Sequence, residues 1–247
     1  MPISENFSSV LCKDFEINFM QCSPNGFLKH TDLCNILQLT AAAHSELGGI
    51  SFVDMQKNNQ AWVLSRMRVE IYELPKWKDI ITVKTWICNL ENSRSVRALE
   101  VFVNDKKMVG AETFWAVFNT VLRKPERLIL PHEHFEKFET KRATILPFSL
   151  IKLPENLKFV TIKKVYFSDL DFVNHVNNVK YLEWCLDLID DLFKKNNILL
   201  SFDMNFIKEL SLNDEVILEM VKSEKVTFFG VKKEDKMCFA LKLNWQI

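Results

Sequence analysis

The sequence has few glycines, few prolines and no excess of charge of either sign. Five glycines and seven prolines are spread over 247 residues, so any boundary between domains must be compact rather than a long flexible linker. Lys plus Arg and Asp plus Glu both number 32, and the chain therefore has no overall field to attract nucleic acid or an anionic membrane. We expect no nucleic-acid partner.

Disulfide frameworks and membrane segments are also missing from the sequence. The six cysteines are scattered without a C-x-x-C pair, which indicates reduced and mostly buried thiols. No apolar run is long enough to span a bilayer, and the first residues, MPISENFSSV, lack the features of a signal or transit peptide. The sequence thus predicts a cytoplasmic protein with no membrane span.

The same succession of predicted secondary-structure elements occurs twice in the chain. Its first copy lies in the N-terminal half. FEINFM alternates apolar and polar residues as a strand does, and TDLCNILQLTAAAHSELGG carries Leu33, Ile36 and Leu37 on one helical face. Four strand-like runs follow, the last two joined by the charged turn NDKK. This half is predicted to contain a strand, a long helix and a series of antiparallel strands.

The second copy follows the same order. FVTIKKVYF (159–167) has the composition of a strand, and four further strand-like runs end the chain. Between them lies an apolar stripe with helical spacing, formed by Leu182, Cys185, Leu186, Ile189 and Phe193. Superposing the two stripes places Asn25-Gly26 opposite Asn174-His175. The two halves are interpreted as diverged copies.

A long helix followed by antiparallel strands, with no alternation of strand and helix, predicts an α+β fold. In each half an antiparallel sheet should wrap around its helix. The proline-rich stretch between the copies shows neither helical nor strand periodicity over more than a few residues. We therefore predict an N-terminal domain at residues 1–125, a linker at 126–158 and a C-terminal domain at 159–247.

Polar side chains are concentrated just before the second helix. FSDLDFVNHVNN places two aspartates, a histidine and three asparagines in one short stretch, although a helix start needs only one cap. Taken singly, Asp171, Asn174 and Asn177 are ordinary cap and turn residues, and a lone histidine is more often structural. The cluster indicates a functional site only in combination with other features.

That stretch resembles part of a known family. DLDFVNHVNNVKYLEW is similar to the second half of acyl-ACP thioesterases. The matching residues are Asp171, His175, Val176, Asn177, Asn178, Tyr181 and Trp184. LQLTAAAHSELGG, WVLSRMRVEIYELPKWKDIITVKTW and RKPERL resemble that family's first half, so the similarity covers nearly all of the chain.

The resemblance implies a tandem, or double, hotdog fold with two antiparallel sheets, each around a long central helix. It implies an enzyme of the bacterial type, a thioester hydrolase that releases free fatty acid and holo-ACP from fatty acyl-ACP and so ends fatty acid synthesis. The implied partner is acyl carrier protein bearing an acyl chain. A homodimer is expected, and no cofactor or metal.

Hydrolysis of a thioester requires a base that activates water, donors that stabilise the oxyanion and a dry slot for the acyl chain. The candidate catalytic residues are Asp171, Asn174, His175 and Glu209, the last from the resemblance of FIKELSLNDEV. We expect the two carboxylates to be desolvated. The backbone N–H groups of residues 176–178, at the helix start, are suited to polarise the carbonyl.

The sequence departs from the family pattern at two positions of the second half. Val173 stands where the family has asparagine, and Asn174 beside it is the candidate for that role. Leu210 stands where plant relatives have cysteine, so no thiol nucleophile is assigned. In the first half Gly26 is aligned with the histidine, and no aspartate matches Asp171. We therefore predict one working site, in the second half, with the first half supplying the acyl pocket.

Several alternatives stay open at this level. The general base is Glu209 or Asp171, and His175 either orients the water or protonates the departing thiolate. The carrier of the acyl group is either acyl carrier protein or coenzyme A. The alternative to an enzyme is a protein that binds acyl groups without hydrolysing them. The preferred chain length and saturation depend on the depth of the pocket.

Overall fold

The computed structural model of the protein describes residues 3–191 and 197–246. The chain forms two compact units. The first contains the residues up to Ser65 and Val69–Pro147, and the second contains Arg66–Arg68 and the residues from Phe148 onward. The stretch predicted as a linker is divided between the units at Pro147. Within the described residues, no helix combines the length and apolarity needed to cross a bilayer.

The first unit consists of a long helix and an antiparallel sheet. Its elements are β1 (Val10–Glu16), α1 (His30–Leu47), α2 (Phe52–Gln56), β2 (Gln60–Ile71), β3 (Ile80–Glu91), β4 (Arg94–Val103), β5 (Lys106–Asn119) and β6 (Lys124–Pro125). The strands lie in the order β1-β3-β4-β5-β2, with β6 paired to β5. Strands β3, β4 and β5 form successive antiparallel hairpins, and β1 pairs antiparallel with β3. The predicted strands after the helix are confirmed.

Helix α1 buries one face against this sheet. Its buried positions recur at intervals of three and four residues, as an amphipathic helix requires: Leu33, Cys34, Ile36, Leu37, Thr40, Ala41 and His44. The helix packs on β1 and β3. It ends at Leu47 with Gly48 as its C-cap, and Gly49 follows with a positive φ of 72°, which favours a residue without a Cβ atom. The predicted helix and its end at the glycine pair are confirmed.

The second unit repeats the architecture. It consists of β7 (Lys158–Lys164), α3 (Asn178–Asp187), β8 (Ile198–Phe206), β9 (Glu215–Lys222), β10 (Val226–Lys233) and β11 (Lys236–Gln246). The strands lie in the order β8-β11-β10-β9-β7, and the pairs β7·β9, β9·β10, β10·β11 and β11·β8 are antiparallel. Each unit therefore joins a helix to an antiparallel sheet, which confirms the predicted α+β class.

Helix α3 is shorter than its apolar stripe predicted. The helix ends at Asp187, where the N–H of Leu188 donates to the carbonyls of Cys185 and Leu186. Ile189, which the stripe places on the helix, is buried beyond this end. Phe193 lies outside the described residues. A residue can be buried without being helical. Because Ile189 is buried beyond the end of α3, the apolar pattern in the sequence extends past the last helical residue, Asp187.

Candidate active site

The polar cluster forms a tight loop that leads into α3. Leu170 and Val176 pair as an isolated antiparallel bridge, and the residues between them turn back sharply. The N–H of Asp171 donates to the carbonyl of His175 at 2.8 Å, and the N–H of Asn174 donates to the carbonyl of Asp171 at 3.1 Å. Asn177 then caps the helix, since its Oδ1 accepts the N–H of Val179 at 2.9 Å. The predicted cap role of Asn177 is confirmed.

His175 and Glu209 approach each other at this loop. The Nε2 atom of His175 lies 3.6 Å from Oε2 of Glu209, and their side chains are 33% and 30% exposed. This separation exceeds the usual length of a direct hydrogen bond, and the partial exposure gives solvent access to both groups. One water molecule can therefore contact both the carboxylate and the imidazole.

A backbone hydrogen bond brings the two residues together. Glu209 lies in the connection between β8 and β9, outside either strand. The N–H of Val176, which follows His175, donates to the carbonyl of Leu210, which follows Glu209, at 2.9 Å. The distance between imidazole and carboxylate is thus set by a contact between their neighbours in the chain.

Asp171 holds the loop through its side chain. Its Oδ1 accepts the N–H of Val173 at 3.0 Å and the N–H of His175 at 3.3 Å. Such bonds from an aspartate to the backbone two to four residues ahead are typical of tight turns. Asp171 is half-buried and Glu209 is 30% exposed, so neither carboxylate is fully desolvated. The expected desolvation of both carboxylates is therefore wrong.

Asn174 occupies the tip of the loop. Its φ of 63° lies in the left-handed region, which asparagine adopts more readily than most residues. The residue is exposed. The backbone conformation therefore explains why an asparagine occupies this turn. A catalytic role for Asn174 stays a prediction.

Two of the three backbone donors predicted for the oxyanion are already bonded to backbone carbonyls. The N–H of Val176 bonds to Leu210, and the N–H of Asn177 donates to the carbonyl of Asp169 at 2.9 Å. Asn178 also has a partner. For Val176 and Asn177 the predicted role in polarising the substrate carbonyl is therefore wrong, and for Asn178 it stays a prediction. The sequence shows where a helix begins but not which carbonyls approach its first N–H groups.

Two acidic residues that sequence reasoning did not assign to the site form hydrogen bonds next to it in the chain. Asp169 is buried and accepts the N–H of Tyr166 at 2.8 Å. Asp214 accepts the Nζ of Lys233 at 2.6 Å and the N–H of Ser211 at 3.0 Å. Burial raises the pKa of Asp214, but these bonds outweigh burial and the pKa is lowered overall. In the sequence, Asp169 belongs to the polar cluster FSDLDFVNHVNN and Asp214 to the acidic turn of FIKELSLNDEV.

The first unit contains the same loop without the polar pair. Cys22 and Leu28 form the equivalent bridge. The N–H of Ser23 donates to the carbonyl of Phe27, and that of Gly26 donates to the carbonyl of Ser23, both at 2.8 Å. Gly26 has a φ of 81°. These bonds match those of the second unit, so Gly26 corresponds to Asn174 and Phe27 corresponds to His175.

This correspondence corrects the alignment made from the apolar stripes, which is off by one residue. It also locates the counterpart of Glu209. The N–H of Leu28 donates to the carbonyl of Pro75 at 2.8 Å, as Val176 does to Leu210, so Leu74 corresponds to Glu209. The first unit therefore has phenyl and isobutyl groups where the second has imidazole and carboxylate.

Comparison with known protein families agrees with this geometry. The model of the acyl-ACP thioesterase N-terminal domain matches residues 8–135, and the model of the acyl-ACP thioesterase C-terminal domain matches residues 154–246. The chain belongs to the acyl-ACP thioesterase family. The resemblance found in DLDFVNHVNNVKYLEW is thereby confirmed.

Curated members of the acyl-ACP thioesterase family align with most of the chain. The palmitoyl-acyl carrier protein thioesterase of Gossypium hirsutum is 27% identical over 72% of the chain and 46% of its own length. The oleoyl-acyl carrier protein thioesterase 2 of Arabidopsis thaliana is 25% identical over 78% of the chain and 57% of its own length. Both are described as chloroplastic. The chain spans about half the length of these curated relatives.

Solved acyl-ACP thioesterase structures share the fold. The acyl-ACP thioesterase of Bacteroides thetaiotaomicron superposes with a TM-score of 0.89 at 26% identity, covering 96% of this chain and 98% of that one. The 12:0-ACP thioesterase of Umbellularia californica superposes with a TM-score of 0.82 at 20% identity, covering 97% and 98%. The predicted double hotdog fold is confirmed.

Proposed function

We propose that this acyl-ACP thioesterase family member hydrolyses fatty acyl-ACP to free fatty acid and holo-ACP. The observation that carries the proposal is the approach of His175 Nε2 to Glu209 Oε2, 3.6 Å apart beside the start of α3. A carboxylate and an imidazole that share one water molecule supply both the base and the acid that thioester hydrolysis requires.

In this mechanism Glu209 is the general base. Its carboxylate takes a proton from the shared water while the resulting hydroxide attacks the thioester carbonyl carbon. The proton passes from Glu209 to the imidazole of His175, which gives it to the sulfur as the C–S bond breaks. The carboxylate is thereby returned to its starting form, and no proton is gained or lost by the enzyme.

The oxyanion of the intermediate needs a donor that is not already bonded. Because the N–H groups of Val176 and Asn177 are occupied, we assign the donor role to the side-chain amide of Asn174. Asn174 lies at the exposed tip of the loop, next to His175. Loss of one such donor typically costs about 10²–10³-fold in kcat.

Asp171 is assigned the role of a positioning residue, because its Oδ1 accepts the N–H groups of Val173 and His175. We expect Asp171→Asn to retain at least about a third of kcat, since the amide oxygen can accept the same bonds, and Asp171→Ala to lose about 10-fold or more. Steady-state hydrolysis of acyl-ACP compares them. Equal, near-complete loss in both variants would show that the charge of Asp171 takes part in the chemistry.

We assign the acyl chain to the first unit, as the domain prediction did. The support is a pocket of about 490 Å³ that opens on the surface of that unit, with the partly buried residues Leu11, Ala43 and Leu47 among its walls. A volume of this size is typical of small-molecule sites. Ser4, Cys12, Lys13 and Glu46 complete the lining.

Filling this cavity should shift the chain-length preference. We expect Ala43→Trp to lower kcat/KM for long acyl chains by about 10-fold. For the shortest chains that are hydrolysed, kcat/KM should stay within about twofold of that of the unmodified protein, because the added ring removes volume and not catalytic groups. Competing acyl-ACPs of graded length measure the profile. A profile identical to that of the unmodified protein would place the acyl chain elsewhere.

The test of the function itself is incubation of the purified protein with a panel of acyl-ACPs and mass spectrometry of the free acids formed. Parallel reactions with the corresponding acyl-CoA compounds identify the carrier. Faster hydrolysis of the coenzyme A thioesters would make the protein an acyl-CoA thioesterase. Acyl-ACP that binds stoichiometrically and stays intact would make it a non-catalytic acyl-binding protein.

Three further parts of the proposal follow from the sequence analysis. We place the protein in the cytoplasm, as a homodimer, and assign no cofactor to its reaction. Light scattering of the purified protein tests the dimer, and full activity after dialysis against a chelator tests the absence of a metal requirement.

A further inference from the structure

Four large apolar side chains are exposed on neighbouring segments of the first unit. Phe19, Met20, Trp77 and Ile80 are each between 54% and 71% exposed. An exposed apolar residue that stands alone needs no explanation, whereas several on one small surface indicate a region that contacts an apolar partner. We name these four residues the Trp77 patch.

Backbone hydrogen bonds hold the segments of the Trp77 patch side by side. Its first two members belong to the 3-10 turn Phe19–Gln21, and the other two belong to the turn before β3 and to the first residue of that strand. The N–H of Lys78 donates to the carbonyl of Ile17, and the N–H of Ile17 donates to the carbonyl of Asp79, both at 2.9 Å. Adjacent segments therefore carry all four apolar side chains.

Three lysines adjoin the Trp77 patch. The Nζ of Lys29 donates to a backbone carbonyl of the 3-10 turn at 2.7 Å. The Nζ of Lys76 lies 5.3 Å from the ring centroid of Phe27, and that of Lys78 lies 4.9 Å from the ring centroid of Trp77. In the part of the chain that the structure describes, no carboxylate forms an ion pair with these three ammonium groups. They are therefore available to an anionic partner.

The carboxylates nearby do not cancel this charge. Asp79 precedes the first residue of β3, and Glu16 pairs with that residue in the sheet. The Oδ2 of Asp79 accepts the N–H of Lys76 at 2.8 Å, so this carboxylate is used within its own turn. Glu73, whose pKa the charge of Lys76 helps to lower, is paired with Lys106. Three ammonium groups against the two carboxylates at the start of β3 leave a local excess of positive charge.

The second unit shows that the fold of this turn requires neither the lysines nor the indole. There the N–H of Asn213 donates to the carbonyl of Val165 at 3.1 Å, and the N–H of Val165 donates to the carbonyl of Asp214 at 2.8 Å. These bonds match those of the first unit, so Leu212 corresponds to Trp77. A neutral residue replaces each lysine: Asn177 for Lys29, Ser211 for Lys76 and Asn213 for Lys78.

We propose that the Trp77 patch and its three lysines bind the protein to the surface of an anionic lipid bilayer. Tryptophan and other large apolar side chains beside lysines are typical of the interface between lipid and water, where apolar groups enter the bilayer and ammonium groups meet acidic head groups. A fluid bilayer closes around side chains that project from turns, whereas a protein partner would need a complementary shape. Phe167 of the second unit is exposed like Phe19, but the three lysine positions are neutral there.

The inference goes beyond the proposed function, because binding to lipid requires no hydrolysis. It also gives a fate for the proposed product. A free fatty acid enters a bilayer because its apolar chain is thereby removed from water. Hydrolysis beside a membrane would therefore release the acid where it partitions.

The first test is sedimentation of the purified protein with vesicles of phosphatidylglycerol and phosphatidylcholine in equal amounts, compared with vesicles of phosphatidylcholine alone. We expect the affinity for the anionic vesicles to be at least about 10-fold higher at low salt, and about 0.5 M salt to remove most of this difference. Failure of the protein to sediment with the anionic vesicles would overturn the proposal.

The apolar part of the surface is tested by Trp77→Ser. We expect the affinity for anionic vesicles to fall about 10-fold, because the indole no longer enters the bilayer. The matched control is Leu212→Ser at the equivalent turn of the second unit, where the leucine is 45% exposed, and it should change the affinity by less than about twofold. Thermal unfolding checks that both variants fold. Equal losses in the two folded variants would contradict the assignment of the surface.

The charged part is tested by the double variant Lys76→Ser and Lys78→Asn, which gives the turn the residues of the second unit. The variant should fold, because Ser211 and Asn213 close the same turn there. We expect its affinity for anionic vesicles to fall about 10- to 30-fold, since each lysine near an anionic surface contributes about fivefold. Its affinity for phosphatidylcholine vesicles should stay unchanged. Undiminished binding to the anionic vesicles would overturn the proposal.

Two measurements on Trp77→Ser distinguish lipid from other occupants of the surface. A rise of about 10-fold or more in KM for acyl-ACP without vesicles would show that the surface docks the carrier protein. A loss of the dimer in light scattering would show that it contacts a second copy of the chain. Either result would overturn the proposal. The vesicle experiments contain no acyl-ACP, so failure of the unmodified protein to hydrolyse any acyl thioester would overturn the proposed function alone.

Discussion

Replacement of Glu209 by glutamine is expected to lower kcat for acyl-ACP hydrolysis by about 10²–10⁴-fold, the range attributed to a general base. Glutamine has nearly the same shape as glutamate but cannot accept the proton of the attacking water. Because Glu209 is 30% exposed, the amide can be solvated, and the melting temperature should change little. Steady-state kinetics and thermal unfolding of the same preparation measure both effects.

The control for this variant is Glu183→Gln on α3. Glu183 is a partly exposed carboxylate, 41% exposed, and its Oε1 lies 2.9 Å from the Nζ of Lys180. Surface pairs of this kind contribute about 0–1 kcal/mol, so stability and kcat should both stay close to those of the unmodified protein. If Glu209→Gln kept more than about a tenth of its activity while Asp171→Asn lost nearly all of it, Asp171 would be the base.

Replacement of His175 by phenylalanine is expected to lower kcat by about 10²–10³-fold, because the departing thiolate loses its acid and the water loses a partner. The substitution copies the first unit, where Phe27 occupies the equivalent place in a loop with the same backbone hydrogen bonds. The variant should therefore fold. Circular dichroism and kcat, measured together, distinguish loss of chemistry from loss of structure.

The reciprocal change, Phe27→His, is the matched control. It places an imidazole in the first unit, but the corresponding carboxylate position there is Leu74. We expect no additional activity from this variant, and kcat close to that of the unmodified protein. Normal hydrolysis by His175→Phe would contradict the proposed role of the imidazole and leave Glu209 as the sole acid–base group.

The difference between the two alignments of the halves has a simple physical reason. Each helix buries pairs of neighbouring residues on successive turns, Leu33-Cys34 in α1 and Tyr181-Leu182 in α3. When the apolar stripe is two residues wide, the stripes of the two helices match nearly as well after a shift of one position. Hydrophobicity alone therefore does not determine how the two halves align. The positive φ angles of Gly26 and Asn174 resolve it, and these depend on how each loop closes.

The fate of the helix-start donors shows a second limit of sequence reasoning. A helix leaves its first N–H groups without partners in the helix, which made residues 176–178 a reasonable oxyanion site. Two of those groups instead bond to Leu210 and Asp169. One acceptor comes from the distant β8–β9 connection, and the other from the 3-10 turn Phe167–Asp169 that precedes the loop. Neither acceptor is apparent from the periodicity around Asn177.

The amino-acid sequence alone determined the order of elements, the duplication of the halves and the family, because periodicity and short motifs are local properties of the chain. The tertiary structure decided that the side chains of Glu209 and His175 approach each other and that the N–H of Val176 bonds to the carbonyl of Leu210. Those contacts join segments far apart in the chain, and a few hydrogen bonds between their backbones and side chains set the distances on which hydrolysis depends.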